Sequence, residues 1–232
     1  QGQTEQLAKA GDTITLTVAS SEALRSLGVV GGDGSPTPLT AVGDTGREWT
    51  LSKPVESGEN GEWSFTLNYE DLAGNAGASV SDTTNNSKIT IDTTLPTLSS
   101  VTLASSNAAT NRAKSGDNLT LAFSSSEPIP VLTVTLAGTP VTATNASGNG
   151  TDWQAVHTVD SSTPSDAVAF RTSFADAAGN TGTVESTTDN SSVAVDLEAP
   201  TLSKVEVASS NANTQGQTEQ LAKAGDTITL TV

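Results

Sequence analysis

Oxygen donors are what this chain offers to chemistry. Asp71 and Asn75 lie in DLAGNAG, and Asp176 and Asn180 in DAAGNTG. Asp92 ends the run KITID and Asp196 the run SSVAVD, while Glu22 and Glu127 each close a serine-rich SSE. Carboxylates and amides are hard ligands suited to Ca²⁺, which gathers about six to eight oxygens from several segments. Catalysis has far less to work with, since the sequence holds one His and no Cys. His157 falls in the alternating run WQAVHTV, where a side chain on one face of a strand is the natural reading. Glu70 and Asp71 could suggest a glycosidase pair, but adjacent residues on a strand point to opposite faces. The chain is therefore expected not to be an enzyme.

These donors recur with a fixed step. Asp71 and Asp176 are 105 residues apart, Asp92 and Asp196 104, Glu22 and Glu127 105, and Trp49 and Trp153 104. A domain of about that length occurs in tandem. A second identity is stricter: residues 1–18, QGQTEQLAKAGDTITLTV, return letter for letter as residues 215–232.

The elements that must hold the donors are strands. DTITLTVA alternates apolar and hydroxyl residues, as do REWTLSKP and EWSFTLNYED, and each run has the period of a strand with one buried face. In the second copy TLSSVTLA, NLTLAFSSSE, VLTVTLAGT, PVTATNA, DWQAVHTV, AVAFRTSF and SSVAVD follow one another with turn residues between them. No segment carries apolar residues at helical spacing. The fold class read from this is all-β: tandem immunoglobulin-like β-sandwiches of about seven strands each, without disulfides. Residues 1–92 form a repeat lacking its first strand, 97–196 a complete repeat, and 201–232 the first strands of a third. Aromatics make up 3% of the chain, so Val, Leu, Ile and Ala build the core, with Trp49, Trp63, Trp153, Phe65, Phe123, Phe170 and Phe174 as bulky fillers.

That topology predicts where the donors meet. In such a sandwich the loop after the second strand and the hairpin between the last two share the pole where the chain enters, and the last strand leaves at the other pole. Asp92 should then stand beside Glu127, Asp176 and Asn180 at the junction of two domains, giving oxygens from three segments to a calcium ion. Glu22, Asp71 and Asn75 would serve the equivalent junction with a preceding domain, and Asp196 one with a following domain.

The net charge of −16 argues against nucleic acid as a partner, because no Lys/Arg stripe is present to neutralise phosphates. No run of about 20 apolar residues could cross a membrane, and residues 1–18 have neither the charged start nor the apolar middle of a signal peptide. Asn85, Asn118, Asn145, Asn149 and Asn190 each begin an N-x-S/T sequon, of consequence only in a glycosylating secretory route.

In its D-x-A-G-N-x-G hairpin, its strand ending in I/V-D before T-x-x-P or L-E-A-P, and its AK-x-GD-x-ITLT stretch, the chain resembles the bacterial Ig-like repeats of large extracellular adhesins and surface fibres. The resemblance covers nearly the whole chain, although GGDGSPTP in the first copy stands where the second has EPIP. It implies an extracellular or cell-surface location, calcium between domains, and a spacer role whose partners are adjacent repeats of the same protein, with cell-surface glycan or another filament strand as further partners. The alternative is a carbohydrate- or protein-binding module using the loop from Gly31 to Pro38. The 214-residue displacement is expected to recur head to tail in one polypeptide. A polymer in which Thr201 to Ala208 completes the first domain of a separate subunit is the rival arrangement.

Overall fold

The computed structural model describes residues 5–32, 36–37, 39–43, 45–212 and 221–232. Every regular element in it is a strand. Residues of the first copy supply β1 (Glu5–Ala8), β2 (Thr13–Ala19), β3 (Leu24–Gly31), β4 (Pro36–Thr37), β5 (Thr40–Ala41), β6 (Glu48–Pro54), β7 (Asn60–Glu62), β8 (Phe65–Asp71) and β9 (Lys88–Asp92). The second copy supplies β10 (Leu98–Ser105), β11 (Arg112–Ala113), β12 (Asn118–Ser125), β13 (Val131–Leu136), β14 (Thr139–Val141), β15 (Ala143–Asn145), β16 (Asp152–Thr158), β17 (Phe170–Ala175), β18 (Thr181–Val184) and β19 (Ala194–Val195). After these come β20 (Glu206–Ser209) and β21 (Ile228–Thr231).

The second copy forms two four-stranded sheets, β10-β12-β16-β15 and β14-β13-β17-β18, plus a parallel pair β11-β19. That is the strand order of an immunoglobulin-type sandwich, with a short parallel pairing between the first and last strands. Alternation decides which side chains fill it. On β12, Leu119, Leu121 and Phe123 are buried while the residues between them are not. Facing them stand Val134 and Leu136 of β13 and Phe170, Thr172 and Phe174 of β17. Each such aliphatic side chain removed from water is worth roughly 1.5–3 kcal/mol, so a slip of one residue, which would turn the whole apolar set outward, is heavily disfavoured.

PVTATNA is two strands rather than one. Thr139–Val141 bonds to β13 and Ala143–Asn145 to β16, so the chain changes sheets at Thr142. The last strand is likewise broken: β18 follows the hairpin and pairs with β17, and β19 pairs with β11 at the far end.

The first copy repeats this plan with the sheets β2-β6-β5, β4-β3-β8 and β1-β9-β7. Its core is Leu16, Val29, Leu51, Phe65 and Leu67, continued by Ala8, Ile14, Val55 and Ile91. No described strand takes the place that β10 holds in the second copy, so β2 is an edge. Trp49, Trp63 and Trp153 are not core fillers: all three are half-buried, because a core this narrow closes with aliphatic residues and Phe, and the indoles lie at its margins.

One turn is built three times. In A-K-x-G-D the backbone N–H groups of Lys9, Lys114 and Lys223 donate to the carboxylates of Asp12, Asp117 and Asp226 at 2.9, 2.8 and 2.7 Å. Gly11, Gly116 and Gly225 hold φ near +90° there, a conformation that a side chain would strain. One compact unit ends at Val195, and a second begins at Asp196 and contains the β20-β21 ribbon. The loop proposed for ligand binding, Gly31 to Pro38, falls in part outside the described residues.

Candidate metal centre

Asp176 follows β17 and Asn180 precedes β18, so the two close the hairpin between the last long strands. The carboxylate of Asp176 accepts the Asn180 backbone N–H at 2.9 Å on one oxygen and the Asn180 amide at 2.8 Å on the other. Gly179, with φ +89°, makes the reversal possible. The same amide donates to the backbone carbonyl of Asp92 at 2.9 Å, tying the end of β9 to the hairpin of the second sandwich. Since that nitrogen faces two oxygens, the opposite orientation of the amide would place three oxygens together. Asn180 therefore positions Asp176 and the linker, and its nitrogen rather than its oxygen faces them.

Glu127 arrives from a third direction. It stands after β12 in a turn held by Ser125, whose buried hydroxyl donates to the Glu127 carbonyl at 2.6 Å and to that of Thr151 at 3.3 Å. Ser126 joins this turn to the linker: its N–H donates to the Thr97 carbonyl at 2.9 Å, and its hydroxyl accepts the Thr97 N–H at 3.0 Å.

Oxygens of Asp92, Glu127 and Asp176 consequently lie within 4.8 Å of one another, and among the described residues this is the one such grouping of three acidic side chains. Asp176 is only 3% exposed and Asn180 6%, whereas Asp92 and Glu127 are half-buried. Burial pushes the Glu127 carboxyl above its usual range, and the carboxylates of Asp176 and Asp92 push it further in the same direction. Three converging carboxylates, one of them buried, fit a hard divalent cation, which would offset both the repulsion and the desolvation.

The remaining predicted ligands are placed differently. Asp71 and Asn75 reproduce the hairpin, with the backbone and side-chain N–H groups of Asn75 donating to Asp71 at 2.8 and 2.7 Å. Those bonds, the side chain of Asn75 first, hold the Asp71 carboxyl below its usual range. Glu22 and Asn75 are exposed, and no third carboxylate joins Asp71 among the described residues. Asp196 accepts the backbone N–H of Glu198 at 3.0 Å, as Asp92 accepts that of Thr94. His157 is engaged with the Thr163 hydroxyl at 3.1 Å, opposite Leu119 in the register of β12 and β16.

Sequence reasoning did not find the Ser125/Ser126 clamp or the bond from Asn180 to Asp92. The doubled serine before each glutamate, SSE and SSSE, was the available signal, and Ser20 makes the corresponding bond to the carbonyl of Arg47 at 3.2 Å.

No protein-family model matches the chain, and no curated protein matches it. Among solved structures it is similar to one described as Rst D1-D2, with a TM-score of 0.38 and 13% identity over 85% of this chain and 97% of that one. It is also similar to tandem Ig repeats of Dlar, with a TM-score of 0.27 and 13% identity over the same shares. At these scores the likenesses add nothing to the strand order, which by itself makes the chain a tandem of Ig-like sandwiches.

Proposed function

We propose that this chain is a spacer segment of a long extracellular adhesin or filament, and that Ca²⁺ at the junction of its two sandwiches fixes their angle. The observation that carries the reading is the convergence of Asp92, from the end of one sandwich, with Glu127 and Asp176 of the next. Asp92 caps the linker by accepting the Thr94 N–H, a role that calls for no neighbouring carboxylate, yet it is brought against two others at a cost in repulsion. Asp92, Glu127 and Asp176 would hold the ion, and Asn180, Ser125 and Ser126 would keep them and the linker in place. What the ion supplies is charge neutralisation and cross-linking of three segments. Tandem copies suit a structural role, because a stiff rod gains length from each added repeat. The partners on this reading are the neighbouring repeats.

Small-angle scattering with calcium and then with excess chelator tests the proposal. Chelation should shorten the mean end-to-end distance and broaden its distribution, and Asp92→Asn and Asp176→Asn should each abolish the response to calcium. An unchanged scattering profile and melting temperature would reduce the cluster to turn chemistry. Extracellular sites of this kind bind at roughly 10⁻⁴ to 10⁻³ M, so the titration should reach several millimolar.

A further inference from the structure

Strand β1 runs parallel to β9 with Ala8 opposite Ile91, so both strands end at one pole of the first sandwich and deliver Lys9 beside Asp92. These two neighbours reach consecutive residues of the hairpin between β17 and β18. The Asp92 carbonyl accepts the Asn180 amide at 2.9 Å. The stem of Lys9 stands over Gly179, where a Cβ would lie 3.7 Å from Lys9 Cε and 3.8 Å from its Cδ.

Of the three lysines in A-K-x-G-D turns, Lys9 is the one that is covered. Lys9 and Lys223 each pair with the aspartate three residues on at 2.9 Å, yet the Lys9 side chain is 37% exposed and that of Lys223 70%. Lys114, which follows the parallel pair β11-β19, is exposed as well. The turn is the same in each case, so the cover on Lys9 comes from the hairpin of the second sandwich. A lysine readily lays its methylenes on a surface while its ammonium keeps a polar partner, and Asp12 is that partner here.

The hairpin glycine seats a cationic side chain in the first sandwich too. Gly74 has the conformation of Gly179, φ +90° against +89°, and a Cβ on it would lie 3.3 Å from Nη1 of Arg25. Arg25 stands on β3 of the same sandwich. The corresponding position of the second sandwich, 105 residues on, holds Pro130, which has no cation to offer. The seat over Gly179 is thus left to the neighbouring sandwich, and Lys9 takes it.

We infer that Gly179 and Asn180 form a docking surface for the end of the β1-β9 ladder, that Lys9 and Asp92 are its two points of attachment, and that the surface works without metal. Pro130 keeps it open, because an arginine there would occupy the glycine as Arg25 does in the first sandwich. Two adjacent points make a pivot, which joins the sandwiches and leaves their angle to whatever else acts at the junction. The inference goes beyond the calcium reading, since the Lys9 seat uses none of the three junction carboxylates.

Acetylation of the full chain in chelator, followed lysine by lysine by mass spectrometry, tests this. Lys9 should react several-fold more slowly than Lys114 and Lys223, and Pro130→Arg should bring it up to the rate of Lys223. Lys9→Ser should move the amide resonances of Gly179 and Asn180 and widen the spread of inter-sandwich angles in scattering, whereas Lys114→Ser, in the same turn of the other sandwich, should do neither. Equal reactivity of Lys9 and Lys223 would overturn the inference. So would a Lys9 rate that Pro130→Arg leaves unchanged, or hairpin resonances that Lys9→Ser leaves in place. Asp92→Asn keeps the two readings apart: it should abolish the response to calcium while the slow acetylation of Lys9 persists.

Discussion

Asn180 is where one side chain decides most, because its amide serves a buried carboxylate and a carbonyl from the neighbouring sandwich at once. Asn180→Asp should replace a donor with a fourth carboxylate beside Asp92, Glu127 and Asp176. It is expected to lower stability by roughly 1–3 kcal/mol in chelator, the usual penalty for leaving buried polar groups unsatisfied. Asn75→Asp, on an exposed hairpin of the same shape, should cost clearly less. Thermal denaturation of the two variants side by side measures the difference, and equal losses would show that the hairpin alone matters.

Among the elements, the A-K-x-G-D turn makes stability depend on pH. Asp117 lies below the ordinary carboxylate value of 3.8 because the Asn107 amide, and then the Lys114 N–H, bond its charged form. Asp12 and Asp226 are lowered chiefly by the backbone N–H groups of Lys9 and Lys223. A lowered carboxyl contributes stability that is present above its unfolded value and is lost as the pH falls through its folded one. Melting temperatures should therefore decline below about pH 4, and Asp117→Asn should flatten part of that decline while lowering stability at neutral pH. Strand packing yields a sharper contrast. A Cβ on Gly182 would meet the Phe174 ring at 2.5 Å, and one on Gly77 would meet the Tyr69 ring at 2.1 Å. Phe174 is buried and has nowhere to turn, whereas Tyr69 is half-exposed and can swing outward. Gly182→Ala should thus cost about 1–3 kcal/mol, in the range for overpacked cores, and Gly77→Ala less, as read from urea denaturation.

For the molecule as a whole, the two sandwiches should differ in stability. The second has β10 over its core, while the first leaves Leu16 and Leu67 beside an open groove. Calorimetry of the full chain in chelator should resolve a lower transition for the first sandwich and a higher one for the second. Leu51→Ala should shift only the lower and Leu121→Ala only the higher, each by about 2–5 kcal/mol, since both leucines are fully buried. A single transition moved by either substitution would mean that the pair folds as one cooperative unit.

The sequence by itself determined the class of fold and its repetition, because a period of two with turn residues between runs leaves a chain without helical spacing only sheets to form. The spacing of Asp71 and Asp176, and of Asp92 and Asp196, announced the tandem directly. Combined with the known poles of an Ig sandwich, it also brought Asp92, Glu127 and Asp176 together. What it could not carry was anything set by the third dimension of packing. Whether Trp153 fills the core or borders it depends on the distance between sheets, which no periodicity encodes. The split of PVTATNA between two sheets depends on which edge each half reaches first. The direction of the Asn180 amide is fixed by a carbonyl 88 residues away. The groove beside β2, too, is a property of two walls, Thr15 to Glu22 and Val80 to Ile89, distant in the chain and joined only by the closing of the sandwich.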